Sequence, residues 1–231
     1  MSVILPLLTI NNVIGSTGTV LKGGIQEMSQ IPKTNYQLIL DKTIKQLSES
    51  GKRPTLLLHA CCAPCSSYVL EYLTSYFDIT VFFYNPNISP EEEYLHRVSE
   101  IKRLISEMCP DVRFIEGRYD PKEFFDMAKG LENEPERGSR CHKCYRMRLM
   151  ESAIIAKENS FDYFTTTLSI SPQKDSEVLN SIGKEVSTAT GVPYLFSDFK
   201  KRGGYKRSIE LSAKYDLYRQ NYCGCIFSKP K

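Results

Sequence analysis

The stretch TLLLHACCAPCSSYVLEYL, residues 55–73, decides the fold of this chain of 231 residues. It opens with the apolar run TLLLHA, which is typical of a buried strand, and turns at CCAPC before the helical pattern SSYVLEYL. Ser66 or Ser67 is expected to cap that helix, because a serine hydroxyl accepts from the free amides of a helix start. A strand that leads through a short loop into a helix predicts the first half of a β–α–β unit.

The same unit recurs along the chain. Further strands are predicted at 79–85, 112–117, 161–169 and 192–199, and further helices at 36–51, 90–108, 121–130, 141–160, 172–191 and 205–216. This alternation predicts an α/β fold with a mostly parallel sheet and helices on both faces. Residues 34–231 are expected to form one such domain, ending in a tail that carries cysteines. Residues 1–33, rich in Gly, Ser and Thr, are expected to be a flexible N-terminal extension.

Loops that follow the strands are the natural place for a site. In open parallel sheets, ligands bind beyond the carboxyl ends of the strands. We therefore expect four loops to share one edge of the sheet: CCAPC (61–65), NPNISP (85–90), TTTLSISPQK (165–174) and SDFKKRGG (197–204).

Composition narrows the class of protein. With 41% hydrophobic and 25% charged residues the chain can bury a core, and its net charge of +3 permits contact with a polyanion without requiring it. The N-terminal apolar run lacks a basic start and a cleavage pattern, and it is too short to span a bilayer. We expect a soluble, cytoplasmic protein with no membrane partner, in a compartment where thiols stay reduced.

Seven of the eight cysteines lie in three tight groups, which indicates metal or redox chemistry. Cys61, Cys62 and Cys65 precede a predicted helix, whose free amides favour thiolate. Cys141 and Cys144 form a CxxC pair at another helix start. Four ligands from two such loops suffice for a [4Fe–4S] cluster. Cys61, Cys62, Cys141 and Cys144 are the first choice, with Cys65 as a further metal ligand.

The remaining cysteines leave alternatives open. Cys223 and Cys225, separated by one flexible glycine, either bind a metal or serve as a redox pair. Cys109 ends a helical pattern and is expected to be a buried small hydrophobe. For the three groups together, structural zinc with spare core thiols is the alternative to a cluster. His59 is expected to be a hydrogen-bonded core histidine.

Two basic runs border the predicted edge of the sheet. Alone, such runs are typical of a solvated face. Because both would lie beside the proposed metal, they are expected to hold the phosphates of a polynucleotide. The residues assigned to this contact are Arg140, Arg146, Arg148, Lys200, Lys201 and Arg202.

Five motifs together resemble the QueH family of epoxyqueuosine reductases, from about residue 35 to residue 228. They are LLLHACCAPCSS, SRCHKCYRMRL, TTTLSISPQK, SDFKK and YRQNYCGCIFS. The resemblance implies a PP-loop or HUP-like fold, of the adenine nucleotide α-hydrolase-like type. The phosphate-cradling SGGxDS loop of that fold is absent here and CCAPC stands in its place, so ATP chemistry is not expected.

The resemblance also implies a reaction and its partners. These enzymes remove the epoxide oxygen of epoxyqueuosine at the wobble position of tRNA, the final step of queuosine formation. The family implies a [4Fe–4S] cluster with an adjacent mononuclear iron, a tRNA with a queuosine-type anticodon and an external electron donor. Some members have Asp at the position of Cys65, where it belongs to the extra iron site. Cys65 is therefore the candidate thiolate in its place.

Epoxide reduction also needs a source of protons. Asp198, Tyr145 and Lys174 are the candidates by loop placement, with Asp198 ranked first. Two other functional classes stay open at this point. A structural-zinc RNA-binding module would be colourless, and a metal-free thiol–disulfide oxidoreductase would cycle Cys141 and Cys144.

Overall fold

The computed structural model describes residues 33–229. The predicted N-terminal extension therefore lies outside the described residues, except for Lys33. From Thr34 onward the described chain forms one compact unit.

Four parallel strands form the sheet, in the order β3-β2-β1-β4. Their bounds are Thr55–His59 for β1, Asp78–Phe83 for β2, Arg113–Glu116 for β3 and Tyr163–Thr166 for β4. The central strand β1 pairs with β2 and with β4, and its last residue, His59, lies opposite Phe82 on one side and Thr166 on the other. The predicted parallel α/β fold is confirmed.

Helices cover both faces of the sheet. Their bounds are Tyr36–Ser50 (α1), Ala63–Leu73 (α2), Glu91–Met108 (α3), Pro121–Ala128 (α4), Ser139–Glu158 (α5), Ser176–Thr190 (α6) and Gly204–Lys214 (α7). Leu56 and Leu58 of β1 pack with α1, α2 and α3, whereas Leu57 packs with α5 and α6 on the other face. Alternate side chains of a strand point to opposite faces, which is why a doubly covered strand reads as an uninterrupted apolar run. None of the helices in the described part of the chain is long and apolar enough to cross a membrane.

The prediction of a fifth strand at 192–199 is wrong. Only one bridge forms there, between Tyr194 and Phe164. Pro193 has no amide hydrogen to donate to a ladder, and the amide of Ser197 donates to the Asn180 side chain at 3.0 Å instead of to a neighbouring strand. The chain therefore pairs with β4 at one residue and then turns away from the sheet toward α6.

The helix after β1 begins earlier than predicted. Cys62 is its N-cap and Ala63 its first residue, so Ser66 and Ser67 lie within the helix and not at its cap. The Ser66 hydroxyl donates to the Cys62 carbonyl at 2.8 Å. Pro64 suits this start, because the first helical turn leaves its amides without intrahelical acceptors. The earlier start places Cys65 in the first turn of α2, close to the two cysteines before it.

Candidate active site

Three sulfur atoms meet where β1 enters α2. The Sγ atoms of Cys61, Cys62 and Cys65 all lie within 4.8 Å of one another, and those of Cys61 and Cys62 are 3.8 Å apart. Two thiolates bound at about 2.3 Å to one tetrahedral metal would be separated by about 3.8 Å. This cysteine triad therefore fits a single metal ion, and within the described residues it is the only group of three or more His, Cys, Asp or Glu side chains gathered so closely.

The triad distributes charge unequally among its thiols. Hydrogen bonds from Cys62 and Cys65, with a smaller effect of the Arg148 charge, lower the pKa of Cys61 well below the ordinary thiol value. The same contacts raise the pKa values of Cys62 and Cys65, since neither can easily ionise beside a Cys61 thiolate. Metal binding at the triad would therefore release protons from Cys62 and Cys65.

A cavity of about 440 Å³ opens beside the triad. Its walls come from the CCAPC loop, from residues 168–174 after β4, and from the C-terminal tail at 219–223. Cys61, Cys65 and Cys223 all line it. The predicted edge of the sheet thus holds the cavity, and the cysteine-containing tail closes one side.

The CxxC pair of α5 does not join the triad. Cys144 is buried and packs with Cys225, Phe124 and Ala128, and burial raises its pKa to about 12. Cys141 accepts from the amide of Arg137 at 3.3 Å. The triad is compact because its residues share one helix turn. Cys61 of the triad and Cys141 of α5 pack against the same core cluster. The assignment of Cys61, Cys62, Cys141 and Cys144 as cluster ligands stays a prediction.

The two cysteines of the tail lie in different surroundings. Cys223 lines the cavity, where the Lys174 ammonium lies 3.3 Å from its sulfur. Cys225 instead belongs to the apolar cluster around Cys144. Gly224 permits this divergence, because its φ of +99° is a conformation that L side chains rarely adopt.

Lys174 is the predicted proton source that lies in the cavity. Only 5% of the residue is exposed, and Nζ also lies 3.4 Å from a Glu136 carboxylate oxygen. Burial opposes its charge, but Cys223, Tyr145 and Glu136 outweigh this effect and raise the pKa of Lys174 above its ordinary value. Tyr145 lies behind it, with Nζ 5.9 Å from the ring centroid and a buried hydroxyl that has no hydrogen-bond partner among the described residues.

Asp198, ranked first from the sequence, does not line the cavity. Its carboxylate accepts from the Ser176 hydroxyl at 3.1 Å and from Lys200 at 2.6 Å. The reason is the turn after the single bridge at Tyr194, which carries Asp198 to the start of α6. The ranking of Asp198 over Lys174 is therefore not supported by their positions.

The basic residues assigned to tRNA divide into buried and exposed sets. Arg140 is 2% exposed, and its Nη1 donates to the backbone carbonyls of Leu131, Glu132 and Glu134, so its assignment to a surface phosphate is wrong. Arg148 is also buried and lines the cavity. The others lie toward the surface: Arg146 pairs with Glu185, Lys200 with Asp198, Arg202 with Asp41, and Lys201 is exposed.

Arg97 is a cavity residue that the sequence reasoning missed. It is 2% exposed, forms an ion pair with Glu93 at 2.6 Å, and donates to the Cys223 carbonyl at 3.3 Å. The sequence did contain a signal for its burial, because Arg97 lies on the same face of α3 as the buried Tyr94, Val98 and Ile101. A charged residue on an apolar stripe marks a buried polar contact.

Other cavity residues missed from the sequence belong to the tail and to the loop before α5. They are Arg219, Gln220 and Asn221 of the tail and Glu136 of the loop. No spacing marks these positions, because the segments are irregular. The prediction for His59 is confirmed: it is fully buried, with Nδ1 2.8 Å from Thr166 Oγ1 and Nε2 3.1 Å from the Tyr84 carbonyl.

The comparison with solved structures gives only weak matches. The zinc-inhibited form of teicoplanin deacetylase Orf2 matches with a TM-score of 0.33 and 9% identity, over 61% of this chain and 65% of that one. A likeness this weak identifies neither a fold family nor a function, and the PP-loop or HUP-like assignment stays a prediction.

Sequence relatives are much more informative. The family model described as epoxyqueuosine reductase QueH matches residues 56–231. The QueH protein of Staphylococcus epidermidis is 45% identical over 86% of this chain and 86% of its own length. That of Streptococcus pyogenes is 43% identical over 88% and 82%, and that of Thermotoga maritima is 36% identical over 75% and 90%. With the triad, the CxxC pair and the cysteine-bearing tail all inside the matched region, this chain belongs to the QueH family of epoxyqueuosine reductases.

Proposed function

We propose that this protein reduces epoxyqueuosine to queuosine at the wobble position of tRNA. Family membership supports the reaction, and one structural observation supports the place where it occurs. The cavity beside β1 holds the sulfurs of Cys61, Cys65 and Cys223 together with the buried ammonium of Lys174. Thiols that can bind a metal and a group that can donate a proton are thereby placed on the walls of one space.

The cysteine triad is the core of the proposed metal centre. Its short sulfur–sulfur distance suits one metal ion, consistent with a mononuclear iron that has Cys65 among its ligands. Cys141 and Cys144 would complete the ligands of the [4Fe–4S] cluster, with Cys61 and Cys62 as predicted. An iron–sulfur centre supplies electrons one at a time, and an open iron position polarises an epoxide oxygen.

The overall reaction fixes what the protein must deliver. Conversion of an epoxide to an alkene consumes two electrons and two protons and releases the oxygen as water. The electrons come from an external donor. Lys174 is well placed to hold one proton, because its ammonium lies on the wall of the cavity while its side chain is withdrawn from bulk solvent. Tyr145, behind Lys174, is the second candidate for the proton path.

The mouth of the cavity suits a single-stranded nucleotide. Tyr205, Tyr222 and Arg219 line it, and aromatic rings and guanidinium planes are the surfaces on which unpaired bases stack. Lys201 and Arg202 on the exposed turn before α7 would contact the flanking phosphates. A tRNA substrate would place the enzyme in the cytoplasm.

Purification without air tests the proposal. The protein is reconstituted with iron and sulfide, its metal and sulfide content is measured, and it is then reduced and mixed with tRNA that carries epoxyqueuosine. Queuosine in the digested tRNA, formed in proportion to bound iron, supports the proposal. Stoichiometric zinc with no sulfide and no queuosine would overturn it in favour of a zinc-containing RNA binder. Full activity without metal would indicate a thiol–disulfide enzyme.

A further inference from the structure

Arg148 is a buried cation without a carboxylate partner. Only 1% of the residue is exposed. Its Nη2 donates to Asn85 Oδ1 at 2.6 Å, its Nε lies 3.3 Å from His59 Nε2, and its Nη1 lies 4.0 Å from the Cys144 sulfur. Asn85 is a neutral amide, and an imidazole carries no negative charge. Across residues 33–229, Arg148 takes part in none of the ion pairs.

The two other buried cations that line the cavity have carboxylate partners. Arg97 pairs with Glu93 at 2.6 Å, and Lys174 lies 3.4 Å from Glu136. Arg140, which does not line the cavity, has no carboxylate partner either, but its Nη1 donates to three backbone carbonyls. Burying a charge without a counter-ion is costly, because the lost hydration is not replaced. The unpaired charge of Arg148 therefore needs an explanation that the fold alone does not give.

Cysteine sulfurs are the groups next to Arg148 that can become negative. Cys144 is one helical turn before it on α5, and Arg148 lines the cavity together with Cys61 and Cys223. The guanidinium thus lies between the triad, the α5 pair and the tail. Metal binding converts thiols to thiolates, so a divalent ion held by three or four cysteines carries net negative charge. Such a centre would supply the charge that Arg148 lacks.

We propose that Arg148 is the fixed counter-cation of the metal–thiolate centre. The inference rests on the proposed metal centre and adds a residue to it. Arg148 acts through the cysteines and so is a positioning residue: its charge favours metal-bound thiolates and favours the reduced state of the centre, which is more negative. In the metal-free protein the same charge has no carboxylate partner and faces fewer thiolates than in the metal-bound protein. Removing it should therefore weaken the metal-bound form more than the metal-free form.

Stability and metal affinity test this difference. Arg148→Met removes the charge, Arg148→Lys keeps it, and Arg140→Met removes a second buried arginine that has backbone partners. In urea unfolding, Arg148→Met should destabilise the metal-bound protein more than the metal-free protein, whereas Arg140→Met should destabilise both forms by similar amounts. In Co²⁺ titrations, followed by the thiolate-to-metal absorption band, Arg148→Met should bind roughly tenfold to a hundredfold more weakly. Arg148→Lys should recover most of the affinity.

A reduction potential separates charge from packing. In the reconstituted protein, Arg148→Met should have a more negative midpoint potential than the wild type, and Arg148→Lys a potential close to it. Co²⁺ affinity and potential both unchanged in Arg148→Met would overturn the inference. So would the failure of Arg148→Met and of Arg148→Gln to fold without metal, since the charge would then support the metal-free fold.

These outcomes are distinct from failure of the proposed function. If the wild type binds metal but yields no queuosine, while Arg148→Met loses metal affinity, the reductase proposal fails and the role of Arg148 stands. If Arg148→Met keeps wild-type metal affinity, reduction potential and queuosine formation, the role of Arg148 fails and the reductase proposal stands.

Discussion

Lys174 and Cys223 face each other inside the cavity, with Nζ 3.3 Å from Sγ, although they lie 49 residues apart in the sequence. Lys174 comes from the loop after β4 and Cys223 from the tail. A buried ammonium thus lies beside a thiol on the wall of a cavity that Cys61 and Cys65 of the triad also line. This pair joins the two segments that close the site.

Lys174→Met should slow the reduction of epoxyqueuosine by about 10²–10⁴-fold per bound cluster, because the proton donor is lost. Lys174→Arg should restore part of the rate. The measurement is queuosine formed in a single turnover by chemically reduced enzyme. Lys129→Met, at an exposed position directly after α4, is the control and should react like the wild type. If Asp198→Asn forms queuosine slowly while Lys174→Met forms it at the wild-type rate, Asp198 would again rank above Lys174 as the proton donor.

Cys61→Ala and Cys62→Ala should each lose the iron and sulfide of the cluster, because each removes one of its four proposed ligands, whereas Cys65→Ala should lose only the mononuclear iron. Iron and sulfide per chain are measured after anaerobic reconstitution. Cys109→Ala is the matched control, because Cys109 lies at the end of α3 and packs against the core. Full iron content in Cys61→Ala would place the metal centre elsewhere.

Gly224→Ala should destabilise the protein more than Gly191→Ala. Both glycines have positive φ, +99° and +82°, so both substitutions carry backbone strain of about 1–3 kcal/mol. A Cβ at Gly224 would also lie 2.9 Å from Ile88 and 3.0 Å from Arg97 Nη1, whereas nothing lies within 4 Å of one at Gly191. Urea unfolding measures the difference. Equal losses would mean that the tail is not packed against α3 in solution.

The metal-free protein should lose stability as the pH falls below about 6.5. Burial, with the nearby Arg148 charge, lowers the pKa of His59 to about 3, against an ordinary value of 6.5. Between these values the unfolded chain binds a proton that the folded protein does not, so the free energy of unfolding falls by up to about 1.4 kcal/mol per pH unit.

Urea unfolding between pH 4 and pH 7 checks this dependence. His59→Gln should flatten it, and His96→Gln, at an exposed histidine of α3, should keep the wild-type slope. A steep slope that persists in His59→Gln would assign the dependence to other groups.

Much of the fold and part of the site followed from local sequence. The strand–loop–helix order at 55–73 and its recurrence predicted the parallel sheet, because periodicity and turn residues act over a few neighbours. The sequence also predicted Cys61, Cys62 and Cys65 as metal ligands, but it did not predict that their sulfurs gather closely enough for one ion. The edge strand at 192–199 failed where Pro193 removed a ladder donor, a signal that was visible in the sequence.

Only the tertiary structure decided how distant segments meet. It moved Asp198 away from the cavity, buried Arg148 and Arg140, and brought Cys223 to Lys174 while sending Cys225 to Cys144. Helix and strand periodicity gives no information about these contacts, because they join segments that are distant in the sequence. They also depend on which buried charges find partners once the chain has packed. The sequence by itself determined most of the helices and strands and the position of three cysteines at the end of β1. The partners of the buried charges depend on long-range packing, which no local pattern encodes.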